Sequence, residues 1–530
     1  CNGATLQYKD VARKIEKVHL IFEASGIKKG DKIAICGRNS SHWGVTFLAT
    51  LTYGAVAVPI LHEFKADNIH NIVNHSEAKL LFVGDQVWEN LNESAMTILE
   101  GIILMTDFSI LISRTQKLDY AREHLNELFG KKYPKNFRKE HIEYHKDQPE
   151  ELAVINYTSG TTSYSKGVML PYRSLWSNTA FAFEVLPLKA GDKIISMLPM
   201  AHMYGLAFEF LYEFSAGCQI YFLTRMPSPK IIFQAFSEVK PHLVVAVPLI
   251  IEKIIKKNVL PKLETPTMKL LLKVPIINDK IKTTVREGVV SAFGGRFAEV
   301  IVGGAAFNQE VEQFLRMIEF PYTVGYGMTE CGPLISYAPW DEFVLGSSGK
   351  ILDIMEARIY KETPEAETGE IQVRGENVMV GYYKNQEATQ EVFTQDGWLR
   401  TGDLGSMDSN GNIFIRGRLK TMILSSSGQN IFPEELETKL NNLPFILESL
   451  VIERNKKLVA LVYADYEALD SLGLNNPDNL KTIMDENLKN LNSNVAAYEK
   501  ISKIQLYPTE FEKTPKRSIK RYLYNSIAVD

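Results

Sequence analysis

The stretch of the sequence with the clearest chemical potential is a run of hydroxyl and glycine residues that contains one lysine. It follows the apolar segment Leu152–Tyr157, whose composition predicts a strand. The run reads Thr158-Ser159-Gly160-Thr161-Thr162-Ser163-Tyr164-Ser165-Lys166-Gly167. Backbone N–H groups, hydroxyls and an ammonium group at the end of a strand are suited to binding phosphate. The sequence therefore predicts a phosphate-binding loop, although a polar turn between two strands would have a similar composition.

The order of residues separates this loop from the Walker A loop. In the Walker A pattern a glycine is followed by lysine and then by serine or threonine. Here Ser165 precedes Lys166, and Gly167 follows it. We therefore interpret the loop as a triphosphate site of another type.

A second segment with chemical potential is Val324–Glu330. Tyr326 stands between two glycines, so its ring could lie flat against a nucleotide base. Thr329 and Glu330 place a hydroxyl beside a carboxylate, which suits a phosphate group and its Mg²⁺ ion, because Mg²⁺ prefers oxygen ligands. The alternative is a β-turn with an exposed acidic residue.

Three more segments contain candidate site residues. Gly303-Gly304-Ala305 follows an apolar strand, and glycines at the end of a parallel strand allow close approach of a ligand. Asp403 follows a glycine turn, where it could accept hydrogen bonds from both ribose hydroxyls or could form an Asx-turn. His202 lies in the loop Leu198–Gly205, where a structural role is the alternative. The segment Phe414–Thr421 ends a strand and predicts a domain boundary.

Together these segments resemble the signature segments of the AMP-forming adenylating enzymes, which include acyl-CoA synthetases, luciferases and nonribosomal adenylation domains. The segment Gly428–Pro433 is most similar to that of long-chain fatty acid–CoA ligases. The phosphate loop departs from the family pattern at Ser163, where glycine is usual, and at Ser165, where proline is usual. The other segments match almost to the end of the chain.

The resemblance implies that ATP, Mg²⁺ and CoA bind to the chain. The residues it implies for the ATP site are Thr158, Ser159, Gly160, Thr161, Thr162, Lys166, Gly303, Gly304, Ala305, Tyr326, Gly327, Thr329, Asp403 and Arg418. In that site Tyr326 would stack on adenine, Thr329 would contact the α-phosphate, and Glu330 would bind Mg²⁺. Asp403 would bind the ribose, and Arg418 would reach the ribose and phosphate.

The resemblance also implies roles outside the nucleotide site. His202 would help to position the substrate carboxylate, Lys420 would be the hinge between two domains, and Gly428 would lie in the segment that moves in for thioester formation. The terminal segment Lys513–Arg521 departs from the family motif, because Ser518 occupies the place of the lysine that bridges carboxylate and phosphate. The basic residues that could replace this lysine are Lys516, Arg517 and Lys520.

The elements that must position these residues are predicted from their patterns. Gly30–Cys36 and Ala55–Pro59 are typical of strands, and Ser41–Gly54 between them is typical of a helix. Strands that alternate with helices predict an α/β protein with a parallel sheet. The resemblance implies a large N-terminal domain of layered α/β subdomains, residues 1–418, and a small mobile α+β C-terminal domain, residues 419–530.

Composition limits the function further. The chain has 530 residues and a net charge of −4, so no basic field indicates a nucleic-acid partner. Its four cysteines show no CxxC spacing, which argues against a zinc site or a disulfide framework. No apolar run reaches the roughly 18 residues of a membrane span. We therefore expect a cytoplasmic protein, free or peripheral at the inner face of the membrane, and leave its oligomeric state open.

The implied reaction is the activation of an acid as acyl-AMP, followed by transfer of the acyl group to CoA. The predicted acyl segments are apolar, as Met203, Leu206, Phe208 and Met328 illustrate, which favours a fatty acid. One alternative is an enzyme that stops at acyl-AMP or uses a carrier protein as the acceptor. Another is a non-catalytic acyl-adenylate-binding protein, in view of Ser518.

Overall fold

A computed structural model of the protein describes residues 5–158, 165–224, 228–263, 265, 275–361, 363, 366–424, 430–513 and 519–524. These residues group into two compact units. The first unit holds the described residues up to Glu356 together with Arg374–Leu399, and the second holds Ala357–Val373 with the described residues from Arg400 onward. The boundary predicted between residues 418 and 419 falls inside the second unit, and the hinge at Lys420 stays a prediction.

The described residues form 25 β-strands. In chain order they are β1 Lys32–Cys36, β2 Val56–Ile60, β3 Ala78–Val83, β4 Gly101–Leu104, β5 Ile110–Ser113, β6 Leu152–Thr158, β7 Lys166–Pro171, β8 Lys193–Ser196, β9 Gln219–Phe222, β10 Val244–Ala246, β11 Val300–Val302, β12 Tyr322–Val324, β13 Tyr326–Gly327, β14 Leu334–Tyr337, β15 Lys350–Ile351, β16 Met355–Tyr360, β17 Gly369–Gly375, β18 Gly381–Tyr382, β19 Leu399–Met407, β20 Ile413–Arg418, β21 Ile423–Leu424, β22 Asn430–Ile431, β23 Ile446–Arg454, β24 Lys457–Ala464 and β25 Ile501–Leu506.

The α-helices of the same residues lie mainly in the first unit. They are α1 Tyr8–Ser25, α2 Ser41–Tyr53, α3 Ala66–Ser76, α4 Asp85–Trp88, α5 Gln116–Lys132, α6 Tyr172–Val185, α7 Met203–Leu206, α8 Tyr212–Ser215, α9 Pro229–Val239, α10 Pro248–Asn258, α11 Leu260–Leu263, α12 Pro275–Ala292, α13 Gln309–Met317, α14 Gln386–Val392, α15 Pro433–Leu440, α16 Tyr466–Ser471 and α17 Pro477–Ser493. A π-helical turn, Ala207–Leu211, connects α7 to α8.

The largest sheet lies in the first unit and has the strand order β18-β7-β6-β2-β1-β3-β4-β5. Its central strands, from β6 to β4, run parallel, whereas β7, β18 and β5 are antiparallel to their neighbours. The central strands are buried and almost continuously apolar, as expected for strands covered on both faces. The predicted α/β class is confirmed.

Helix α2 illustrates why the elements form where the sequence indicates. The N-cap residue Ser40 accepts a hydrogen bond from the Trp43 amide at 3.1 Å. The helix ends at Gly54, whose φ of +83° is the left-handed conformation that a C-terminal glycine provides. The predicted helix and the strand that follows it are therefore confirmed within about a residue at each end.

Smaller sheets complete the first unit. Strands β10, β11 and β12 form a parallel sheet, β8 and β9 form a parallel pair, and β13, β14 and β15 form an antiparallel sheet. The core beside β10–β12 contains Phe236 and Phe293, whose rings stack with centroids 5.3 Å apart. This sheet supports the glycine segment at the end of β11.

The second unit contains most of the four-stranded sheet β16-β17-β19-β20 and the whole of the three-stranded sheet β23-β24-β25. Strands β23 and β24 are antiparallel, and β24 and β25 are parallel. Helices α15 and α17 contribute Leu436, Leu440, Met484 and Leu491 to the core on this sheet. The hairpin β19–β20 carries the candidate ribose-binding residues.

Candidate active site

The predicted phosphate loop connects two strands of the largest sheet. Strands β6 and β7 pair antiparallel, and Thr158 lies opposite Lys166 in their register. The Thr158 hydroxyl donates to the Lys166 carbonyl at 3.5 Å. Ser159, Gly160, Thr161 and Thr162 lie outside the described residues.

Gly167 has a structural reason to be glycine. A Cβ atom there would lie 2.9 Å from Ile155 Cγ2 and 3.0 Å from Tyr157 Cζ. Contacts this short force a neighbour to move, so a side chain at residue 167 would push β7 away from β6. The glycine thus allows the close strand pairing that fixes the position of Lys166 at the start of β7.

Lys166 and Glu330 are brought together around a third residue, Tyr382. The Lys166 Nζ atom lies 4.8 Å from the centroid of the Tyr382 ring. The Tyr382 hydroxyl donates to Glu330 Oε1 at 2.8 Å. Tyr382 is 7% exposed and Glu330 is 9% exposed, so this contact is shielded from water.

Tyr382 was missed by the sequence reasoning. Its register in the sheet, with Gly381 opposite Met169 and Tyr382 opposite Val168, joins segments that are far apart in the chain. The signal in the sequence is the run Gly381-Tyr382-Tyr383, an aromatic pair that follows a glycine. Burial, and then the Glu330 carboxylate, raise the pKa of Tyr382 above its usual value. The phenol therefore keeps its proton and remains the donor.

The backbone around Glu330 is held from both sides. Thr329, Glu330 and Cys331 form a single turn of 3₁₀-helix, and all of them are buried. The Glu330 carbonyl accepts a hydrogen bond from the Met379 amide at 2.8 Å, just before β18. Met379, just before β18, thus contacts the main chain of Glu330, and Tyr382 in β18 contacts its side chain.

Gly327 lies against the backbone of Pro333. A Cβ atom at Gly327 would lie 2.2 Å from the Pro333 carbonyl oxygen, so only glycine fits. Tyr326 is 7% exposed. Its predicted stacking on adenine stays a prediction.

Gly303 lies against the loop that contains His202. A Cβ atom at Gly303 would lie 3.0 Å from both Cζ and the hydroxyl oxygen of Tyr204. The Tyr204 hydroxyl donates to the Ile301 carbonyl in β11 at 3.2 Å. Gly304 has a φ of +89°, and both it and Ala305 are exposed. The glycine segment and the histidine loop are therefore neighbours, and their roles in substrate binding stay predictions.

His202 is the N-cap residue of α7. Its Nδ1 atom accepts a hydrogen bond from the Tyr204 amide at 3.3 Å. Asn156 in β6 donates its side-chain amide to the Ala201 carbonyl at 2.9 Å, which attaches the loop to the strand that precedes the phosphate loop. Neither Asn156 nor Tyr204 was predicted to position the site.

Asp403 and Arg418 are brought together in the second unit. They lie opposite each other in the register of β19 and β20, and Arg418 Nε is 3.1 Å from Asp403 Oδ1. The Asp403 side chain is 6% exposed, whereas that of Arg418 is 67% exposed. Lys420 follows in an exposed turn.

The structure does not describe part of the predicted C-terminal machinery. Gly428, Lys516, Arg517 and Ser518 lie outside the described residues. Lys520 is described, and its Nζ atom lies 3.1 Å from Glu512 Oε2.

The donor groups around Glu330 fit Mg²⁺. In the part of the chain that the structure describes, no group of three or more His, Cys, Asp or Glu side chains could hold a metal ion. Mg²⁺ in nucleotide enzymes is commonly bound by one or two carboxylates together with phosphate oxygens, so such a cluster is not needed. The Glu330 carboxylate supplies oxygen donors of that kind.

The length and composition of the helices bear on whether the chain could cross a membrane. Among the helices of the described residues, none combines the length and the apolar character that a membrane span requires.

The amino-acid sequence is similar to a known protein family and to named relatives. Residues 1–383 match the family model described as AMP-binding enzyme. Long-chain-fatty-acid–CoA ligase 5 of Rattus norvegicus is 29% identical over 509 residues, which cover 88% of this chain and 72% of the relative. Long-chain-fatty-acid–CoA ligase FadD15 of Mycobacterium tuberculosis is 27% identical over an alignment that covers 97% of this chain and 89% of the relative.

A solved structure shows the same fold. O-succinylbenzoate coenzyme A synthetase (MenE) of Bacillus subtilis, in complex with ATP and a magnesium ion, matches with a TM-score of 0.72 at 20% identity. The match covers 98% of this chain and 94% of the other. The predicted family resemblance and the predicted fold class are both confirmed.

Proposed function

Since the chain belongs to the AMP-binding enzyme family, we propose that it is an AMP-forming ligase that activates a long-chain fatty acid with ATP and transfers the acyl group to CoA. The observation that carries this proposal is the arrangement of Lys166, Tyr382 and Glu330. An ammonium group at the phosphate loop and a carboxylate suited to Mg²⁺ share one tyrosine between them. A protein that only bound an acyl-adenylate would have no need for the second of these groups.

Each group has a defined task in the proposed reaction. Lys166 neutralises charge on the triphosphate, Thr329 contacts the α-phosphate, and Glu330 would hold Mg²⁺. When bound, Mg²⁺ neutralises the charge of the phosphate oxygens and so makes the α-phosphate a better target. The chain itself contributes mainly by positioning and by fixed charge, as expected for phosphoryl and nucleotidyl transfer.

The first half-reaction joins the acid to AMP. The carboxylate oxygen of the fatty acid attacks the α-phosphorus of ATP, the bond to the bridging oxygen breaks, and pyrophosphate leaves. His202 helps to orient the attacking carboxylate. Asp403 accepts hydrogen bonds from the ribose, and Arg418 contacts the ribose and phosphate.

The second half-reaction exchanges AMP for CoA. The thiol of CoA loses its proton and attacks the acyl carbonyl, which releases AMP and leaves the thioester. The rotation of the small domain about Lys420 and the approach of the segment around Gly428 are part of this proposal. They would remove the terminal basic loop and give the thiol access.

The preference for a fatty acid has support from packing. Met203, Leu206 and Phe208 are buried apolar residues next to His202. Glu209 is the one acidic side chain in that segment, and its Oε2 accepts hydrogen bonds from the amides of Met197 and Leu198 at 2.9 and 2.7 Å. That oxygen therefore stabilises the backbone of the loop at Met197 and Leu198. The two reported relatives are named as long-chain ligases, which agrees with this preference.

Pyrophosphate release tests the proposal. Purified protein with ATP and Mg²⁺ is given saturated fatty acids from short to long, first without and then with CoA. The proposal predicts that release depends on chain length and that CoA drives repeated turnover. Release without any response to CoA, but with a response to an acyl carrier protein, would replace the CoA ligase with the carrier-protein alternative. No release with any acid, while ATP still binds, would favour the binding protein.

A further inference from the structure

Tyr382 contacts the two groups to which the proposed function assigns phosphate and Mg²⁺, although the reaction itself gives it no task. Its hydroxyl lies 2.8 Å from Glu330 Oε1, and Lys166 Nζ lies 4.8 Å from its ring centroid. We propose that Tyr382 is a positioning residue, whose hydroxyl orients the Glu330 carboxylate for Mg²⁺ and whose ring holds the Lys166 ammonium beside the phosphate loop. This inference rests on the proposed function.

The hydroxyl contact limits the freedom of the carboxylate. A glutamate side chain that makes no hydrogen bond can rotate both oxygens through many directions, and this freedom is lost when a metal binds. A hydrogen bond to Oε1 fixes the plane of the Glu330 carboxylate before the metal arrives. Partners of this kind raise metal affinity, and their removal typically weakens it by about 10- to 100-fold.

The ring contact acts on the lysine. A cation within about 6 Å of an aromatic centroid is attracted to the face of the ring. Lys166 is the first residue of β7, directly after the loop, so its long side chain would otherwise sample a wide region. The Tyr382 ring restricts the ammonium to one side of the strand that carries it.

Tyr382 is itself firmly placed. Its amide donates to the Thr389 hydroxyl at 2.9 Å, and that hydroxyl donates to the Asn385 carbonyl at 2.8 Å. A Cβ atom on the preceding Gly381 would lie 2.7 Å from Thr389 Cγ2, which explains the glycine there. The start of α14 thus fixes the strand from which the tyrosine projects.

The next residue provides a matched control. Tyr383 also donates its hydroxyl to a glutamate, Glu77, at 3.0 Å, and Lys384 Nζ lies 5.3 Å from its ring centroid. This arrangement is on the surface, since the Glu77 side chain is 55% exposed. Tyr383→Phe removes the same atom as Tyr382→Phe, one residue along the chain, without touching Glu330.

The experiment measures the Mg²⁺ concentration that gives half-maximal binding of a fluorescent ATP analogue. We expect Tyr382→Phe to raise this concentration by about 10-fold and Tyr383→Phe to leave it unchanged. Tyr382→Leu also loses the ring, so it should weaken nucleotide binding even at saturating Mg²⁺. Thermal unfolding of each variant reports whether the fold is retained.

A second measurement removes no group. Fluorotyrosine placed at residue 382 should change its fluorine NMR signal when Mg²⁺ is added with ATP, and the same label at residue 383 should not. The inference is overturned if Tyr382→Phe binds with the Mg²⁺ dependence of the wild type, or if both labels respond equally. It is also overturned if ATP binding by the wild type does not depend on Mg²⁺.

These outcomes are separate from the test of the proposed function. A wild-type protein that binds ATP with Mg²⁺ but releases no pyrophosphate with any acid contradicts the ligase. The binding measurement still decides the role of Tyr382 in that case.

Discussion

The protein contains two arrangements of glutamate, tyrosine and lysine that are almost the same in composition and differ in burial. In one, Tyr382 donates to Glu330, and Lys166 lies over its ring. In the other, Tyr383 donates to Glu77, and Lys384 lies over its ring. The tyrosines are consecutive residues, and they direct their hydroxyls to glutamates in different parts of the first unit.

The two arrangements differ in burial, which governs how strongly water and salt screen their charges. Lys384 also contacts Glu77 directly, with Nζ 2.8 Å from Oε1, and lies at the surface, where water and salt weaken the attraction. Glu330 is buried, so its charge is screened less than that of Glu77. We therefore propose the buried arrangement as a ligand site, whereas the exposed one is a surface ion pair.

The largest effect should come from removing the charge of each glutamate. We expect Glu330→Gln to reduce fatty-acid-dependent pyrophosphate release by about 100- to 1,000-fold, the usual cost of losing one charge-stabilising group in an active site. Glu77→Gln removes a carboxylate with the same kinds of partner, and its activity should equal that of the wild type. Equal loss in the two variants would contradict the difference drawn between the arrangements.

Asp403 is a third carboxylate with a basic partner. Its side chain is buried like that of Glu330, but its partner is Arg418 on the next strand. Asp403→Asn should raise the KM for ATP by about 10- to 100-fold, since hydrogen bonds to a charged group contribute about 1.5–3 kcal/mol. The KM for the acid should change much less. Asp485→Asn, at an exposed residue of α17 in the same unit, is the control and should leave both constants unchanged.

These two sites also differ in how far the sequence reveals them. Asp403 and Arg418 meet because a hairpin places them opposite each other, and both belong to recognisable segments. Lys166 and Glu330 were also recognised, each from its own segment. Neither segment, however, contains the residue that joins them.

The sequence did not predict the role of Tyr382, because its contacts depend on the pairing of β18 with β7, and these two strands are far apart in the chain. β18 is added to the edge of the largest sheet from about 210 residues further along the chain than β7. The pattern of a two-residue strand is too short to fix its partner or its register. Helix α2 and the strands on either side of it were predictable from periodicity and glycine positions, whereas the contact between β18 and β7 was not.

Glu213 is a buried glutamate that has neither a tyrosine hydroxyl nor a lysine as a partner among the described residues. It is fully buried, and neither of its oxygens has a hydrogen-bond partner among the described residues. Burial raises its pKa to about 8 from 4.5. The titratable groups whose pKa it affects are Glu209, Tyr212 and Cys218.

The raised pKa predicts a pH dependence of stability. The folded protein retains a proton on Glu213 that the unfolded chain loses, so stability falls as the pH rises from about 4.5 to about 8. Each pH unit in that window should cost the wild type about 1.4 kcal/mol relative to Glu213→Gln. Urea unfolding of both proteins at several pH values measures this difference, and parallel curves would show that Glu213 is already ionised in the fold.

The smallest effect should come from the exposed arrangement. The pKa of Glu77 is lowered by hydrogen bonds from Lys384 and then Tyr383. The stability they contribute is therefore present above the pKa of the unfolded glutamate and is lost as the pH falls through the folded value. Because the pair is exposed, Lys384→Ala should change the free energy of unfolding by less than about 1 kcal/mol.

A double-mutant cycle with Glu77→Gln and Lys384→Ala separates this pair from other effects of the substitutions. The coupling energy should be small at low salt and should decrease further at high salt, since the charges are open to screening. A coupling as large as that of a buried pair would mean that water is excluded from Glu77. The exposed arrangement would then share the property on which the proposed Mg²⁺ site at Glu330 rests, and burial alone could not explain why we assign ATP and Mg²⁺ to only one of the two arrangements.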